Sequence, residues 1–480
     1  MRLVQRPFRV TVRLLLLVAG AVAGGTSAFA AERPNVLFIA VDDLRPALGC
    51  YGDPLAKTPS IDKLAARGTV FLNAECQWPV CGPSRASLLT ALRPEATGVM
   101  DLATDVRAKN PDVVTLPQYF RRQGHVTAGV GKIFDPRCVD NKQDLDKPSW
   151  SLPFVHSKPK QGDDNGKKDE AAAARVACAD GDLMDGAIAR DALRLLDELA
   201  ANTQPFFLAV GFKKPHLPFV APAAHWDRHD RAAFPVAPHQ RGIEGDSGYV
   251  LHDSKELRGY GGIPASGPIP ESLQKELLHG YYACVSYIDA QVGLLLDALD
   301  RKGLTDKTVV VLWGDHGFHL GDHGMWGKHS TLEAAARVPL IVVKPGGSAV
   351  ARSDSPVEFT DIFPTLCDVT GLPSPAGIAG RSLLPLIDGS ATDVRPAALT
   401  VFRNRGALGY SIRTRRHRYT EWINKFGKVV ARDLFDYEDD PLETKNLSDR
   451  PEARDVVTDM ARRLEEVADG CDRLVVSREK

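Results

Sequence analysis

Five residues of this chain combine into a set that could hold and move an anionic group. Asp42 and Asp43 are adjacent acids, Asp315 is followed by His316, and Cys81 opens the run Cys81-Gly82-Pro83-Ser84-Arg85. Two neighbouring carboxylates repel unless a cation sits between their oxygens. Asp42, Asp43 and Asp315 with the imidazole of His316 thus form an oxygen-rich set suited to a hard divalent ion such as Ca2+ rather than to zinc. After Cys81, apolar residues fall at 88, 89 and 92, the spacing of a helix face, and Pro83 fits a first helical turn because it has no N–H to leave unpaired. That puts a cysteine where unpaired amides and Arg85 would meet an anion together. Each piece has a plainer reading when taken alone. An Asp-Asp pair caps helices or lines solvated turns, and Cys81 could pair with nearby Cys76 in a disulfide.

The positions of these residues favour chemistry. Asn35-Val36-Leu37-Phe38-Ile39-Ala40-Val41 runs into Asp42-Asp43, and Val309-Val310-Val311-Leu312-Trp313 runs into Gly314-Asp315-His316. Two similar runs end in cations: Val126 to Val130 precedes Gly131-Lys132, and Phe206 to Val210 precedes Lys214-Pro215-His216. Unbroken apolar runs of this length suit strands covered on both faces, which predicts an α/β fold with a large, mostly parallel sheet between helices. In such sheets ligands gather beyond the carboxyl ends of the strands, so the four polar clusters should share one crevice. His125 precedes its strand and should lie at the opposite edge. Ile188, Ala192, Leu195, Leu196 and Leu199 mark one covering helix, and Leu273, Leu277, Tyr281, Val285, Ile288 and Val292 the core face of another over 271–300. The polar stretch 140–170 and the Pro-, Gly- and His-rich stretch 221–270 read as excursions that shape a pocket. From about 395 short alternating runs and an amphipathic helix near 450–468 indicate a second, smaller unit.

The Cys81–Arg85 pentad resembles the signature of the formylglycine-dependent sulfatases. The likeness extends upstream through Thr58-Pro59-Ser60-Ile61-Asp62-Lys63-Leu64-Ala65-Ala66-Arg67-Gly68 and downstream through Leu89-Thr90-Ala91-Leu92-Arg93-Pro94. Gly131-Lys132-Ile133-Phe134, Lys214-Pro215-His216-Leu217-Pro218-Phe219 and Trp326-Gly327-Lys328-His329-Ser330 resemble active-site segments of the iduronate-2-sulfatase branch. The resemblance implies an alkaline-phosphatase-like sandwich, with residues 31–394 as the catalytic domain and 395–480 as a C-terminal α+β subdomain. It implies that a formylglycine-generating enzyme converts Cys81 to formylglycine, and that residue 81 joins Asp42, Asp43, Asp315 and His316 around one Ca2+. Arg85, Lys132 and Lys328 would stabilise charge on the sulfate, with His216 also holding it, and His216 or Lys328 would protonate the leaving oxygen; Lys214 is a secondary candidate. The substrate implied is a sulfated carbohydrate, a uronate or related glycan. Where the branch carries a histidine that assists the aldehyde hydrate, this chain has Asp135 followed by Pro136. Asp135 either serves as the base or marks altered or lost activity. Two other functions fit the same residues: a phosphate or phosphonate ester hydrolase using an unmodified nucleophile, and a non-catalytic binder of sulfated glycans.

Composition narrows the remaining classes. Residues 1–30 carry four arginines, an apolar core from Leu14 to Val22 and Ala28-Phe29-Ala30, the pattern of a cleaved export signal. This predicts a periplasmic or extracellular protein without stable membrane insertion after cleavage. The exported chain is mildly acidic, at about −5, which excludes nucleic acid as a natural partner. Eight cysteines allow disulfides, Cys138 with Cys178 among them, but no C-x-x-C pair suggests a thiolate metal site. Arg413, Arg415, Arg416, His417 and Arg418 form a basic run, read as a solvated strand face or an attractor of anionic polysaccharide. His319, Asp322, His323 and His329 sit among closely spaced glycines, which reads as a pocket-lining loop rather than a transition-metal site.

Overall fold

Strand Asn35–Val41 alternates its side chains between two apolar cores. Leu37, Ile39 and Val41 enter one and Val36, Phe38 and Ala40 the other, so the unbroken apolar run is a strand buried on both faces. The computed structural model describes residues 33–140, 145–161 and 170–468, and the leader expected over 1–30 lies outside the described residues. Asn35–Val41 pairs in parallel with Thr308–Gly314 on one side and Phe206–Phe212 on the other, and Val126–Gly131 continues in parallel beyond Phe206–Phe212. Leu340–Val343 then runs antiparallel to Thr308–Gly314, and Thr69–Glu75, Arg337–Val338 and Arg352–Glu358 complete an eight-stranded, mostly parallel sheet. The four runs read from the sequence are its four adjacent parallel strands.

Helices Pro59–Ala65, Met184–Ala200 and Glu271–Arg301 cover one face. Ile188, Ala192, Leu195, Leu196 and Leu199 are buried as their spacing predicts, and so are Leu277, Tyr281, Val285, Ile288 and Val292, while Leu273 is only partly covered. Glu271–Arg301 is long and apolar enough to cross a bilayer, but 72% of its most apolar window is buried inside the fold, as the core face read from the sequence implies. It is a core helix. Cys81–Thr90, Leu116–Arg122 and Ile362–Val369 cover the other face, and every residue of Cys81–Thr90 is buried.

A second, antiparallel sheet joins Ala398–Asn404, Ala407–Arg413, His417–Ile423 and Val429–Asp436, with helix Arg454–Ala468 packed on it through Met460 and Leu464. Here the structure corrects two readings of the basic run. Arg418 is fully buried, donating to Glu75 at 3.0 Å and to Glu333 at 2.7 Å, and Arg413 reaches Glu333 at 3.0 Å. Arg415 and Arg416 are bound to Asp393 and Asp436. Arg413 and Arg418 are thus an internal crosslink, because buried Glu75 on the main sheet and half-buried Glu333 need cations, while Arg415 and Arg416 are exposed and ion-paired on the surface. The disulfides considered from the sequence are also not formed. The Cys76 thiol lies 3.9 Å from the Ala335 carbonyl and the Cys138 thiol 3.6 Å from that of Asp101.

Register brings the carboxyl ends of the parallel strands level. Val41 lies opposite both Gly314 and Phe212, and Gly131 opposite Gly211, so the residues that follow all emerge at one edge. His125 sits at the other edge, its Nε2 3.2 Å from the Pro34 carbonyl oxygen. The approach at Gly211 is tight: a Cβ there would fall 2.2 Å from the carbonyl oxygen of Lys132. Gly211→Ala should therefore destabilise the chain by about 1–3 kcal/mol, whereas Gly259→Ala, with open space around it, should stay within about 0.5 kcal/mol. Urea unfolding of the two variants measures the difference.

Candidate active site

Asp42 and Asp43 follow one another yet turn to the same centre. Consecutive side chains of an extended strand point to opposite faces, but Asp43 takes the left-handed conformation (φ 57°), which aspartate tolerates, and the kink aligns the two carboxylates. The backbone N–H groups of Asp43 and His316 both donate to Asp315 Oδ1 at 3.0 Å, which locks the ends of Asn35–Val41 and Thr308–Gly314 together. Cys81 begins its helix beneath them, 1% exposed, with no side chain capping the first turn. Its Sγ lies 3.2 Å from His316 Nε2 and 4.0 Å from Asp43 Oδ1. Ser84 Oγ donates to the Asp315 carbonyl at 2.5 Å and fixes the helix against that strand end. His316 Nδ1 lies 3.0 Å from the Gly317 carbonyl oxygen, which turns Nε2 toward the thiol and the acids, 3.3 Å from Asp43 Oδ1. Two overlapping groups, Asp42, Asp43, Cys81 and His216, and Asp42, Cys81, Asp315 and His316, each place their donor atoms within 4.8 Å of one another.

The expected cations converge on this centre, though not all in the expected role. Lys132 Nζ donates to Asp42 Oδ2 at 2.6 Å, and Lys328 Nζ to both oxygens of Asp43 at 2.9 and 3.0 Å. Arg85 is fully buried beneath the cleft. Its Nε donates to Asp315 at 2.8 Å, its Nη2 to Asp42 at 3.0 Å, and its Nη1 to the carbonyls of Lys132 and Ile133, while the guanidinium stacks 5.4 Å from the Trp313 ring. It clamps three strand ends and has little left to offer an anion, which replaces the reading of Arg85 as a direct anion contact. Burial opposes charge on Asp42, but Lys132 and Arg85 override it and hold the carboxyl well below the usual carboxylate range. Burial raises the Asp315 pKa, and Arg85 only partly offsets it because Asp42 adds repulsion. Burial, with Asp42 beside it, pushes the Cys81 thiol well up, so the unmodified side chain is a neutral thiol and a weak nucleophile.

A cleft of about 560 Å³ opens over the centre, with Asp42, Lys132, Asp135, Arg137, His216 and Tyr260 on its wall. Asp135 is held by its neighbour: Arg137 donates through Nε and Nη2 to its two oxygens at 2.9 and 2.7 Å. Burial would raise the Asp135 pKa, but these bonds and the nearby Lys132 bring it to about 2. A carboxylate ionised this firmly is a poor proton acceptor near neutral pH. Lys214 turns aside, donating to the Pro218 carbonyl at 2.8 Å. The sequence reading missed Glu256. Its Oε1 lies 3.4 Å from His216 Nε2 and its Oε2 3.2 Å from Lys328 Nζ. Burial opposes its charge, but Lys328 and His216 hold its carboxyl well below the usual range. It lies in the 221–270 excursion, where no periodicity or motif singles it out. The His319 cluster lies in a packed loop, with His319 Nε2 2.8 Å from Ser330 Oγ.

Residues 34–372 match the sulfatase family profile, and residues 321–470 match the profile of the N-sulphoglucosamine sulphohydrolase C-terminal region. The chain belongs to the sulfatase family. It is 32% identical to iduronate 2-sulfatase of Mus musculus, over 92% of this chain and 95% of that one, and 32% identical to the Homo sapiens protein, over 86% and 90%. A sulfatase of Formosa agariphila is 29% identical over 86% of this chain and 83% of that one. A structure solved with its substrate D-glucosamine-2-N,6-O-disulfate superposes with a TM-score of 0.77 at 22% identity, covering 94% of this chain and 100% of that one. The phosphonate monoester hydrolase of Agrobacterium radiobacter has a TM-score of 0.75 at 23% identity, covering 91% and 96%. At those identities the two structures establish the alkaline-phosphatase-like fold. This sulfatase is a sulfuric ester hydrolase. Replacing Arg85 by methionine should leave buried Asp315 without its arginine and Asp42 with Lys132 alone, and cost about 3–5 kcal/mol. Arg85→Lys should recover only part of that, since one ammonium does not span both acids; chemical unfolding of the two variants checks the order.

Proposed function

We propose that this sulfatase removes sulfate from a sulfated carbohydrate that contains a uronate or related sugar, using formylglycine at position 81 and one bound Ca2+. The observation that carries the reading is the Cys81 thiol at a helix start, 3.2 Å from His316 Nε2 and inside a ring of acids and lysines. The residues fit a divalent ion. Asp42, Asp43 and Asp315 supply hard oxygens and His316 a single ring nitrogen, and the mutual repulsion that helps raise the Asp315 pKa is the kind a cation relieves. They also fit a modified residue 81, since the neutral thiol offers no nucleophile of its own. When present, the formylglycine hydrate supplies the attacking hydroxyl and the ion supplies Lewis acidity.

The chain's own groups do the rest. Lys132 and Lys328 hold the sulfate oxygens and stabilise charge as it develops. His216 Nδ1 lies 2.7 Å from the Leu217 carbonyl oxygen and its Nε2 lies 3.4 Å from Glu256 Oε1, so both ring nitrogens are held in place beside the centre. In this reading His216 donates a proton to the leaving oxygen, and Glu256 orients it. Arg85 positions Asp42 and Asp315 rather than touching substrate. In this reading residues 1–30 direct export to the periplasm or the extracellular space, residues 31–394 form the catalytic domain and residues 395–480 the C-terminal subdomain. A formylglycine-generating enzyme acts before the mature chain works free of the membrane.

Two experiments test the proposal. In a host whose converting enzyme accepts only cysteine, Cys81→Ser should abolish sulfate release from aryl sulfate and sulfated uronate, while peptide mass spectrometry of the native chain finds an aldehyde at position 81. An intact thiol in active protein would overturn the covalent role. Dialysis against a chelator should remove activity, and added Ca2+ should restore it; full turnover by protein shown to be metal-free would end the metal assignment.

A further inference from the structure

The steps above give Arg137 no task, yet its geometry is that of a recognition group. Its Nε and Nη2 grip both oxygens of Asp135, and Asp135 Oδ1 also accepts the Arg137 backbone N–H at 3.0 Å, so side chain and loop are fixed as one unit. Asp135 itself is 1% exposed, whereas the Arg137 side chain is 43% exposed and stands on the cleft wall. A guanidinium has five N–H groups. Two are taken by Asp135, and among the described residues no acceptor meets the others.

Position gives these free donors a direction. Asp135 Oδ2 lies 2.7 Å from Arg137 Nη2 and 3.9 Å from Lys132 Nζ, so Arg137 is the next cation outward from the lysine proposed to hold the sulfate. The same cleft is lined by Phe154, Ile188, Leu217 and Tyr260, apolar and aromatic surfaces suited to the faces of a sugar ring. An arginine held flat by a buried carboxylate loses little further freedom on binding, and its planar fork matches a carboxylate or sulfate better than a lysine would.

We infer that Arg137, oriented by Asp135, is a specificity-determining residue that binds a second anionic group of the substrate, a carboxylate or a further sulfate, beside the sulfate that is cleaved. This rests on the sulfatase reading and narrows its substrate to sugars with at least two anionic groups close together. Asp135 is then a positioning residue, which accounts for an aspartate where the related branch has a histidine.

The test compares kcat/KM of the mature full-length enzyme on a neutral hexose monosulfate, a hexuronate monosulfate and a hexose disulfate. In Arg137→Gln the ratio of either dianionic substrate to the neutral one should fall about tenfold to a hundredfold, mostly through KM. Arg137→Lys should restore only a small part of it, and Asp135→Asn should lower it less than Arg137→Gln does. A fall confined to the hexuronate assigns the contact to a carboxylate, and one confined to the disulfate assigns it to sulfate. Should Arg137→Gln not fold, as judged by circular dichroism, the same ratio in Arg137→Lys decides. Ratios within twofold of wild type in the folded variants overturn the inference. Wild-type enzyme that releases sulfate from none of the three esters overturns the sulfatase reading instead.

Discussion

One guanidinium holds the centre together. Arg85 binds Asp42 at the end of Asn35–Val41, Asp315 at the end of Thr308–Gly314 and the carbonyls just past Val126–Gly131, while its own helix carries Cys81. Three carboxylates so close in a buried site would drive the strand ends apart, and each has a cation that prevents it: Arg85 and Lys132 for Asp42, Lys328 for Asp43, Arg85 for Asp315. The inner charges are thus balanced by the protein alone. Under the proposed function a divalent ion adds two positive charges to that balance, and an anionic substrate offsets part of them. Ion and substrate then favour one another through charge, without any change of shape.

The sheet supplies the precision this arrangement needs. Parallel pairing brings Val41, Phe212 and Gly314 level, so residues from distant parts of the chain leave the sheet at the same height. Gly211 lets the end of the neighbouring strand pass within van der Waals reach of the Lys132 backbone, and a side chain at Gly211 would push that lysine from its place. Farther out, buried Arg418 joins Glu75 of the main sheet to Glu333, and so fixes the antiparallel sheet against the edge that ends near the site. The same device, a buried arginine shared by acids from separate segments, serves at the centre and at the junction.

What the sequence shows and what it hides divide along the range of the interactions. Strands buried on both faces and amphipathic helices write their pattern into adjacent residues, so Asn35–Val41 and Met184–Ala200 can be read directly. The Cys81–Arg85 pentad is equally local. Glu256 is not, because its meaning comes from Lys328, 72 residues away, and the excursion that carries it has no period. The basic run from Arg413 to Arg418 misleads for the same reason. Arg413 and Arg418 look outward in sequence like the exposed Arg415 and Arg416 between them, but their partners Glu75 and Glu333 lie on other elements, away from solvent. Arg85 was found but misdirected: helix geometry points it toward an anion, and only the packed strand ends show that the anions it meets are the protein's own.

Asp135 shows how one residue type can change the division of labour in a site. A histidine there could exchange protons near neutral pH, whereas this aspartate, bound by Arg137 and beside Lys132, stays ionised to about pH 2. It cannot replace such a histidine in kind. Its charge is spent on fixing an arginine, so that wall of the cleft offers directed donors and no mobile proton. His216, with Glu256 and Lys328 beside it, forms a separate cluster suited to proton movement. Under the proposed function the cleft is therefore asymmetric: protons pass on the Glu256 side, charge is recognised on the Asp135 side, and a sugar ring that spans the two is oriented before its sulfate meets residue 81.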